Sequence, residues 1–207
     1  MEKKRKREWY EKFRWFYASN GMLVIGGRDA TTNEIVIKKH TQTGDLVFHT
    51  DMAGSPFFVI KADSQQIDEQ VRQEVATLTI VYSRAWQMKL SSIDVFSVLP
   101  EQVSKQAQAG ESLSRGSFVI RGKTTYYQVQ MDFCIGVDDQ FRVHVGTQDS
   151  IKKHTTAFVR IVQGDTKTSE IAKQLRTIFG GGDLDEYIRQ LPTGGCKIVR
   201  EPEKFAR

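Results

Sequence analysis

Apolar residues in this chain recur in short bursts, some alternating and some at helical steps, and the spacing predicts a mixed series of strands and helices. Arg14–Ser19 and Met22–Gly26 read as the arms of a hairpin around Asn20-Gly21, a dipeptide whose residues both tolerate the positive φ of a two-residue type I′ turn. Thr31-Thr-Asn-Glu34 fits a capping box, in which a hydroxyl and a carboxylate satisfy free amides at a helix start, and predicts a short helix to about His40. Leu46–His49 and Phe57–Lys61 predict strands separated by a turn at Ala53-Gly-Ser-Pro56. Ile67, Val71, Val75, Leu78, Tyr82 and Ala85 recur at three- and four-residue steps, which predicts the clearest helix, with one apolar face. Asp68 and Glu69 stand in its first turn and Arg84 and Lys89 near its end, as the helix dipole favours.

Further strands are predicted at Asp94–Leu99, Ser117–Arg121, Tyr126–Gly136, Phe141–Gly146 and Phe158–Val162, with a polar surface loop over 101–116. Helices are predicted over 4–13, near Ser150–His154, at Thr168–Phe179 and at Asp183–Leu191. The expected class is α+β: a mixed, largely antiparallel sheet or sheets with packed helices. Ile37-Lys-Lys-His-Thr41 recurs as Ile151-Lys-Lys-His-Thr155, each preceded by a predicted strand and followed by a strand and a longer helix. Two related β-α-β-α units, at roughly 20–90 and 138–190, would produce this pattern, and so would coincidence in a lysine-rich helix.

Composition narrows the class. At 207 residues the chain can build one large domain or two small ones. Its 39% hydrophobic and 27% charged content are those of a soluble globular protein. No apolar run approaches a membrane span, and no apolar segment follows the first charges, so neither anchor nor signal peptide is expected. Cys134 and Cys196 lie far apart and outside any Cys-x-x-Cys spacing, which favours a reduced intracellular setting and disfavours a structural zinc site; no metal, no cofactor and a cytoplasmic location are expected. The net charge of +5 is uneven. Residues 1–14 hold seven Lys/Arg (Lys3, Lys4, Arg5, Lys6, Arg7, Lys12, Arg14) against Glu2, Glu8 and Glu11, which leaves the rest near neutral. Such a basic lead-in suits a polyanionic partner, although a solvated charge run has the same composition.

Few motifs point to catalysis. His49-Thr-Asp51 places an imidazole and a carboxylate on one side of a strand, with Ser55 just beyond. They would serve as a weak acid–base or metal-ligand candidate, or as a carboxylate that pins an imidazole at a strand end. Gly116 to Lys123 has a glancing likeness to a phosphate loop, but five residues separate its glycines where four are needed, and Phe-Val-Ile reads as strand. Arg121 and Lys123 share a strand face beside a turn and can meet phosphates together. Trp9, Trp15 and Trp86 with Phe13 and Phe16 are expected mostly in the core, with Trp9 and Tyr10 as the exposed candidates for base stacking.

Taken as words in order, the chain resembles the NFACT-R domain, the RNA-binding portion of the NFACT proteins of ribosome-associated quality control. The likeness lies in Trp9-Tyr-Glu-Lys-Phe-Arg-Trp-Phe16 with Gly26-Gly-Arg-Asp29, in Gly44-Asp-Leu-Val-Phe-His49 with Asp51 and Gly54, in Tyr82-Ser-Arg-Ala-Trp86, and in Gly116-Ser-Phe-Val-Ile-Arg-Gly-Lys123. It covers residues 5–127. A softer match beyond, at Ile135-Gly-Val and Leu191-Pro-x-Gly194, is similar to the C-terminal extension of archaeal members. This chain departs from the family pattern in having His49-Thr-Asp-Met-Ala-Gly-Ser-Pro56 where the family is nearer His-Ala-Asp-x-x-Gly-Ala-Ser, and Pro56 stiffens the turn.

The resemblance implies a lead-in helix at 1–13 that ends a coiled coil, an α/β core at 14–127 and an α/β extension at 128–207. It implies a stand-alone version or an excised piece of a larger protein that binds the large ribosomal subunit and tRNA. The expected function is a non-enzymatic RNA-binding module contacting tRNA or large-subunit rRNA through phosphates, with ribosomal proteins as further partners. Lys3, Lys4, Arg5, Lys6, Arg7, Arg14, Arg28, Arg84, Lys105, Arg121 and Lys123 would supply charge, with Trp9 or Tyr10 as stackers. An RNA-modifying or RNA-processing enzyme centred on His49, Asp51 and Ser55 and a pure protein-interaction platform stay open beside it. Oligomeric state is not encoded in these patterns.

Overall fold

The computed structural model describes residues 5–199 together with the backbone of 203–204. Its first half is a six-stranded antiparallel sheet in the order β1-β2-β4-β3-β5-β8. The strands are β1 (Arg14–Tyr17), β2 (Leu23–Gly26), β3 (Leu46–Thr50), β4 (Phe58–Ile60), β5 (Val95–Val98) and β8 (Thr125–Tyr127), with helices α1 (Ala30–Lys39), α2 (Glu69–Val81) and α3 (Arg84–Gln87). A small ribbon, β6 (Val103–Ser104) and β7 (Val119–Ile120), stands beside it. The second half builds its own sheet in the order β10-β9-β11-β12, with β13 also on β11. Here the elements are β9 (Cys134–Val137), β10 (Val143–Gly146), α4 (Gln148–Ile151), β11 (Ala157–Thr166), α5 (Thr168–Phe179), α6 (Leu184–Gln190), β12 (Cys196–Ile198) and β13 (Glu203–Lys204). The fold is α+β, as the pattern predicts.

Alternation along the strands sets the layers. Phe16, Val24, Phe48, Phe58 and Ile60 face one side of the first sheet, and Trp15, Ile25, Val47 and Val59 face the other. The second group is covered by α1 through Val36, by the 3-10 turn Trp9–Lys12 through Tyr10, and by the ribbon through Phe118 and Ile120. The first group packs on α2 and shares one apolar cluster with Ile135, Val145, Val159 and Ile161 of the second sheet, which meets the first where β1 lies beside β10. A helix buried on all sides needs apolar residues all round. Accordingly α2 buries Ala76, Ile80 and Val81 as well as Val71, Val75 and Leu78, so the single face predicted from sequence is too narrow. The helix also stops earlier, at Val81, and Ser83 Oγ, accepting from the Ala85 amide, starts α3.

Several local expectations move by a residue or two. The hairpin turns at Asn20-Gly21, but only Gly21 has positive φ (+87°). The Gly21 amide donates to the Ala18 carbonyl and the Ala18 amide to the Met22 carbonyl, both at 2.9 Å. That is the three-residue loop with a left-handed glycine, rather than a two-residue type I′ turn. The cap of α1 is Asp29, whose Oδ1 accepts the Thr32 amide at 2.8 Å, and not Thr31. The expected helix over 4–13 is a 3-10 turn at Trp9–Lys12 with no helix over 5–8, and residue 4 lies outside the described residues.

The two Ile-Lys-Lys-His-Thr segments both end a helix that joins two parallel strands flanking an antiparallel one. In the first case the middle strand is β4, which follows the helix; in the second it is β9, which precedes it. The helices also differ in length, ten residues against four. The halves therefore reuse a local arrangement, but their wiring is not that of a simple tandem repeat.

Candidate nucleic-acid interface

Four chain segments converge at the N-terminal end of α1 around a cleft of about 440 Å³. They are the stretch from β2 into α1, the β3–β4 loop, the α2–α3 junction and the loop that leads into β7. Asn33 ties the first two together: its Oδ1 accepts the Phe57 amide at 3.0 Å and its Nδ2 donates to the Ser55 carbonyl at 3.4 Å. Gly27 is needed beside it, because a Cβ there would stand 1.8 Å from Asn33 Oδ1. Gly116 brings in the last segment, with φ +78° and with its absent Cβ 2.7 Å from the Ala30 backbone. Its amide donates to Glu34 Oε2 at 2.9 Å.

Arginine dominates the lining: Arg14, Arg28, Arg84 and Arg115, against one carboxylate, Asp29. Asp29 is engaged in capping α1, and the Thr32 amide is the leading cause of its lowered pKa. Arg14 is buried in the floor, where it donates to the Arg189 and Leu191 carbonyls at 2.6 and 3.0 Å and lies 4.4 Å over the Tyr82 ring. Arg28 donates to the same Arg189 carbonyl at 2.8 Å. Carbonyls satisfy the donors but do not neutralise the charge. Burial, with Arg14 and Arg189 adding repulsion, pushes the Arg28 guanidinium down to about 10. Burial likewise lowers the Arg14 pKa, with Arg189 a further contributor. Arg84 and Arg115 stand exposed at the rim. Four arginines against one carboxylate leave the site with a net positive charge, complementary to an anion.

The remaining sequence-derived cations fall into three groups. Lys3 and Lys4 lie outside the described residues, while Lys6 and Arg7 are exposed. Arg121 and Lys123 are also exposed, in the turn around Gly122 just past β7, rather than on one strand face. Arg5 and Lys105 are already paired. Arg5 binds Glu11 at 2.9 Å and Glu186 at 2.7 Å; Lys105 meets Glu34 at 3.2 Å and donates to the Ser114 carbonyl at 2.9 Å. Their charge is consumed inside the fold. Tyr10, expected to be exposed, is buried, with its hydroxyl bonded to Tyr17 and accepting from Arg142. Trp9 keeps 49% of its surface exposed.

The enzymatic candidate does not assemble. His49 stacks on Phe57 at 4.1 Å, and its Nε2 donates to the Ser55 carbonyl at 3.1 Å. Burial lowers its pKa and keeps it neutral, while Asp51 is exposed and is not its hydrogen-bond partner. The Ser55 hydroxyl is buried against Thr50 Oγ1. The imidazole is therefore held by a carbonyl and a ring, where the sequence suggested a carboxylate. Among the described residues, no three His, Cys, Asp or Glu side chains are grouped to hold a metal ion, and no helix is long and apolar enough to cross a membrane. Sequence reasoning missed Arg115 and the role of the Arg189 carbonyl. The first had a signal, since Arg115 precedes a glycine that forces a turn; the second had none.

A family model described as the NFACT protein RNA binding domain matches residues 12–122. The Archaeal Rqc2 homolog aRqcH of Methanocaldococcus jannaschii is 41% identical over 97% of this chain and 31% of its own length. The Ribosome quality control complex subunit NEMF of Mus musculus is 38% identical over 92% of this chain and 18% of its own length. This chain thus spans a third or less of these relatives. The C-terminal part of the fibronectin/fibrinogen-binding protein from Streptococcus suis aligns with a TM-score of 0.51 at 21% identity, over 74% of this chain and 52% of that one, a likeness of fold.

Proposed function

This chain belongs to the NFACT RNA-binding domain family, and on that premise we propose that it is an RNA-binding module of ribosome-associated quality control that grips RNA by its phosphates. The observation that carries the reading is the cleft itself: Arg14, Arg28, Arg84 and Arg115 surround it, and its one carboxylate is occupied in a helix cap. Rim residues Arg84 and Arg115 make the contacts, while Arg14 and Arg28 raise the local potential from below. Arg121 and Lys123, exposed just past Ile120 in the cleft wall, extend the positive surface. Residues 14–127 form the gripping core, and the extension that follows braces it through the Arg189 and Leu191 carbonyls that anchor Arg14 and Arg28. The RNA is tRNA or large-subunit rRNA, met in the cytoplasm, and the module does no chemistry on it. Relatives named as quality-control subunits rather than as enzymes support that last point.

Phosphate gripping has a thermodynamic signature, because each neutralised phosphate releases counter-ions. With roughly three to five phosphates engaged, log affinity plotted against log salt falls with a slope of about −2 to −3.5 for an unpaired strand. Fluorescence anisotropy with labelled tRNA and rRNA fragments across a salt series measures it. A flat line would remove the phosphate reading.

A further inference from the structure

At the opposite end of α1 from the cleft stands a second feature built for nucleic acid. The Trp9 indole stacks on the His40 imidazole at 4.8 Å with 23° between planes, and meets Tyr10 edge-on at 5.6 Å. His40 is itself fixed as the C-cap of α1, with its amide on the Val36 carbonyl and its carbonyl accepting from Lys61 at 2.8 Å. One face of the indole is thus taken by His40, while 49% of the Trp9 surface stays open to water. Lys12 and Lys39 are exposed beside it, and the charges that act on His40 are Lys12, Lys61 and Lys39, of which Lys61 is paired with Asp45. Burial, aided by those lysines, lowers the His40 pKa, so at neutral pH the stack is an uncharged π surface inside a positive rim.

The ten residues of α1 separate this platform from the cleft by about 15 Å. Thr31, Ile35, Lys38 and Lys39 line the flank between them, together with Arg115, which also borders the cleft. The carboxylate on this flank, Glu34, is held by Lys38 at 2.7 Å and by Lys105 at 3.2 Å. The flank meets the cleft at Arg115 and the platform where Lys39 precedes His40, and a stacking face, cations and a phosphate cleft are the parts of a single-strand groove.

We propose that the α1 flank binds unpaired RNA, with one base stacked on the open face of Trp9 and the phosphates leading along Lys39 and Arg115 into the arginine cleft. This rests on the RNA-binding reading above and adds the strand type and the direction of the track. A duplex keeps its bases stacked on each other and cannot offer a free face to Trp9.

The test uses the full chain with three labelled ligands: an unpaired oligouridine of about 12 nucleotides, within the site sizes such grooves cover, an abasic strand with equal phosphates, and an RNA duplex. Trp9→Leu is the variant, with its melting temperature checked against wild type. The expected result is a loss of about fivefold or more for oligouridine, as for one lost stacking contact, and no change for the abasic strand. Oligouridine should also quench Trp9 emission, since Trp15 and Trp86 are buried. Equal losses on both strands, no loss on either, or a duplex bound as tightly as oligouridine would overturn the inference while leaving phosphate gripping intact. Failure of the wild type to bind any of the three ligands would overturn both.

Discussion

Two arginine clusters in this protein have opposite electrostatics. At the junction between the N-terminal turn and the second half, Arg5 binds Glu11 and Glu186, and Arg142 lies 3.9 Å from Glu11 while packing 4.5 Å over the Trp15 ring. Glu11 raises the Arg5 pKa through its hydrogen bond, the leading cause of that shift. In the cleft, Arg14 and Arg28 bond to carbonyls and a ring rather than to a carboxylate, Asp29 acts on Arg28 only as the weakest influence, and burial lowers the pKa of both. The first cluster is glue: opposite charges join distant parts of the chain. The second carries a net repulsion that an incoming anion would relieve. The lesson concerns the basic lead-in. Its charge, conspicuous in the sequence, is partly cancelled at Arg5, while the converging positive surface comes from single arginines scattered along the chain.

Removing the glue should have the largest effect on the fold. Glu11 is buried, so Glu11→Gln removes the carboxylate that Arg5 and Arg142 share, although Arg5 keeps Glu186, and should cost about 2 kcal/mol of unfolding free energy. Chemical denaturation measures this, and RNA affinity should hold. The same residue predicts a pH effect. Burial raises the Glu11 pKa, but the Arg5 hydrogen bond and the Glu8 amide outweigh it, and the net direction is down. A depressed carboxylate contributes stability that is fully present above its unfolded pKa and is lost as pH falls through the folded one. Stability should therefore drop on the acid side of the ordinary glutamate range, and Glu11→Gln should flatten that limb. An identical acid limb in the variant would break the assignment.

The cleft should respond to anions in the reverse sense. Sulfate at a few times its dissociation constant should stabilise by about 1 kcal/mol through occupation of the site, a shift of about 2–4 °C in melting temperature. Sulfate also stabilises proteins through exclusion from their surface, so the informative quantity is the difference from Arg84→Glu/Arg115→Glu. No difference between the two proteins would mean that the cleft does not hold an anion.

How much of this was legible in the sequence depended on the distance over which each feature acts. Local signals read well: α5 spans Thr168–Phe179 as its period predicts, and Asp183 caps α6. The hairpin forms at Asn20-Gly21 as its sequence predicts, but its turn type differs, because the register that pairs Tyr17 with Leu23 leaves a three-residue loop past Ala18. The all-round burial of α2 was hidden because its second face carries Thr77 and Thr79, which look solvent-facing until their hydroxyls are seen to donate to the Gln73 and Val75 carbonyls. Pairings across the chain were invisible. Arg5 meets Glu186 and Arg14 meets the Arg189 carbonyl across more than 170 positions, and no local pattern encodes either. The candidate residues were thus found by type, and their separation into paired and unpaired sets required the fold.

The most direct test of the central claim is the affinity of Arg84→Glu/Arg115→Glu for an unpaired RNA strand, read by anisotropy beside its melting temperature. Both side chains are exposed, so the fold should be untouched, while affinity should drop about tenfold or more with a shallower salt slope. Wild-type affinity and slope in a folded variant would contradict the account.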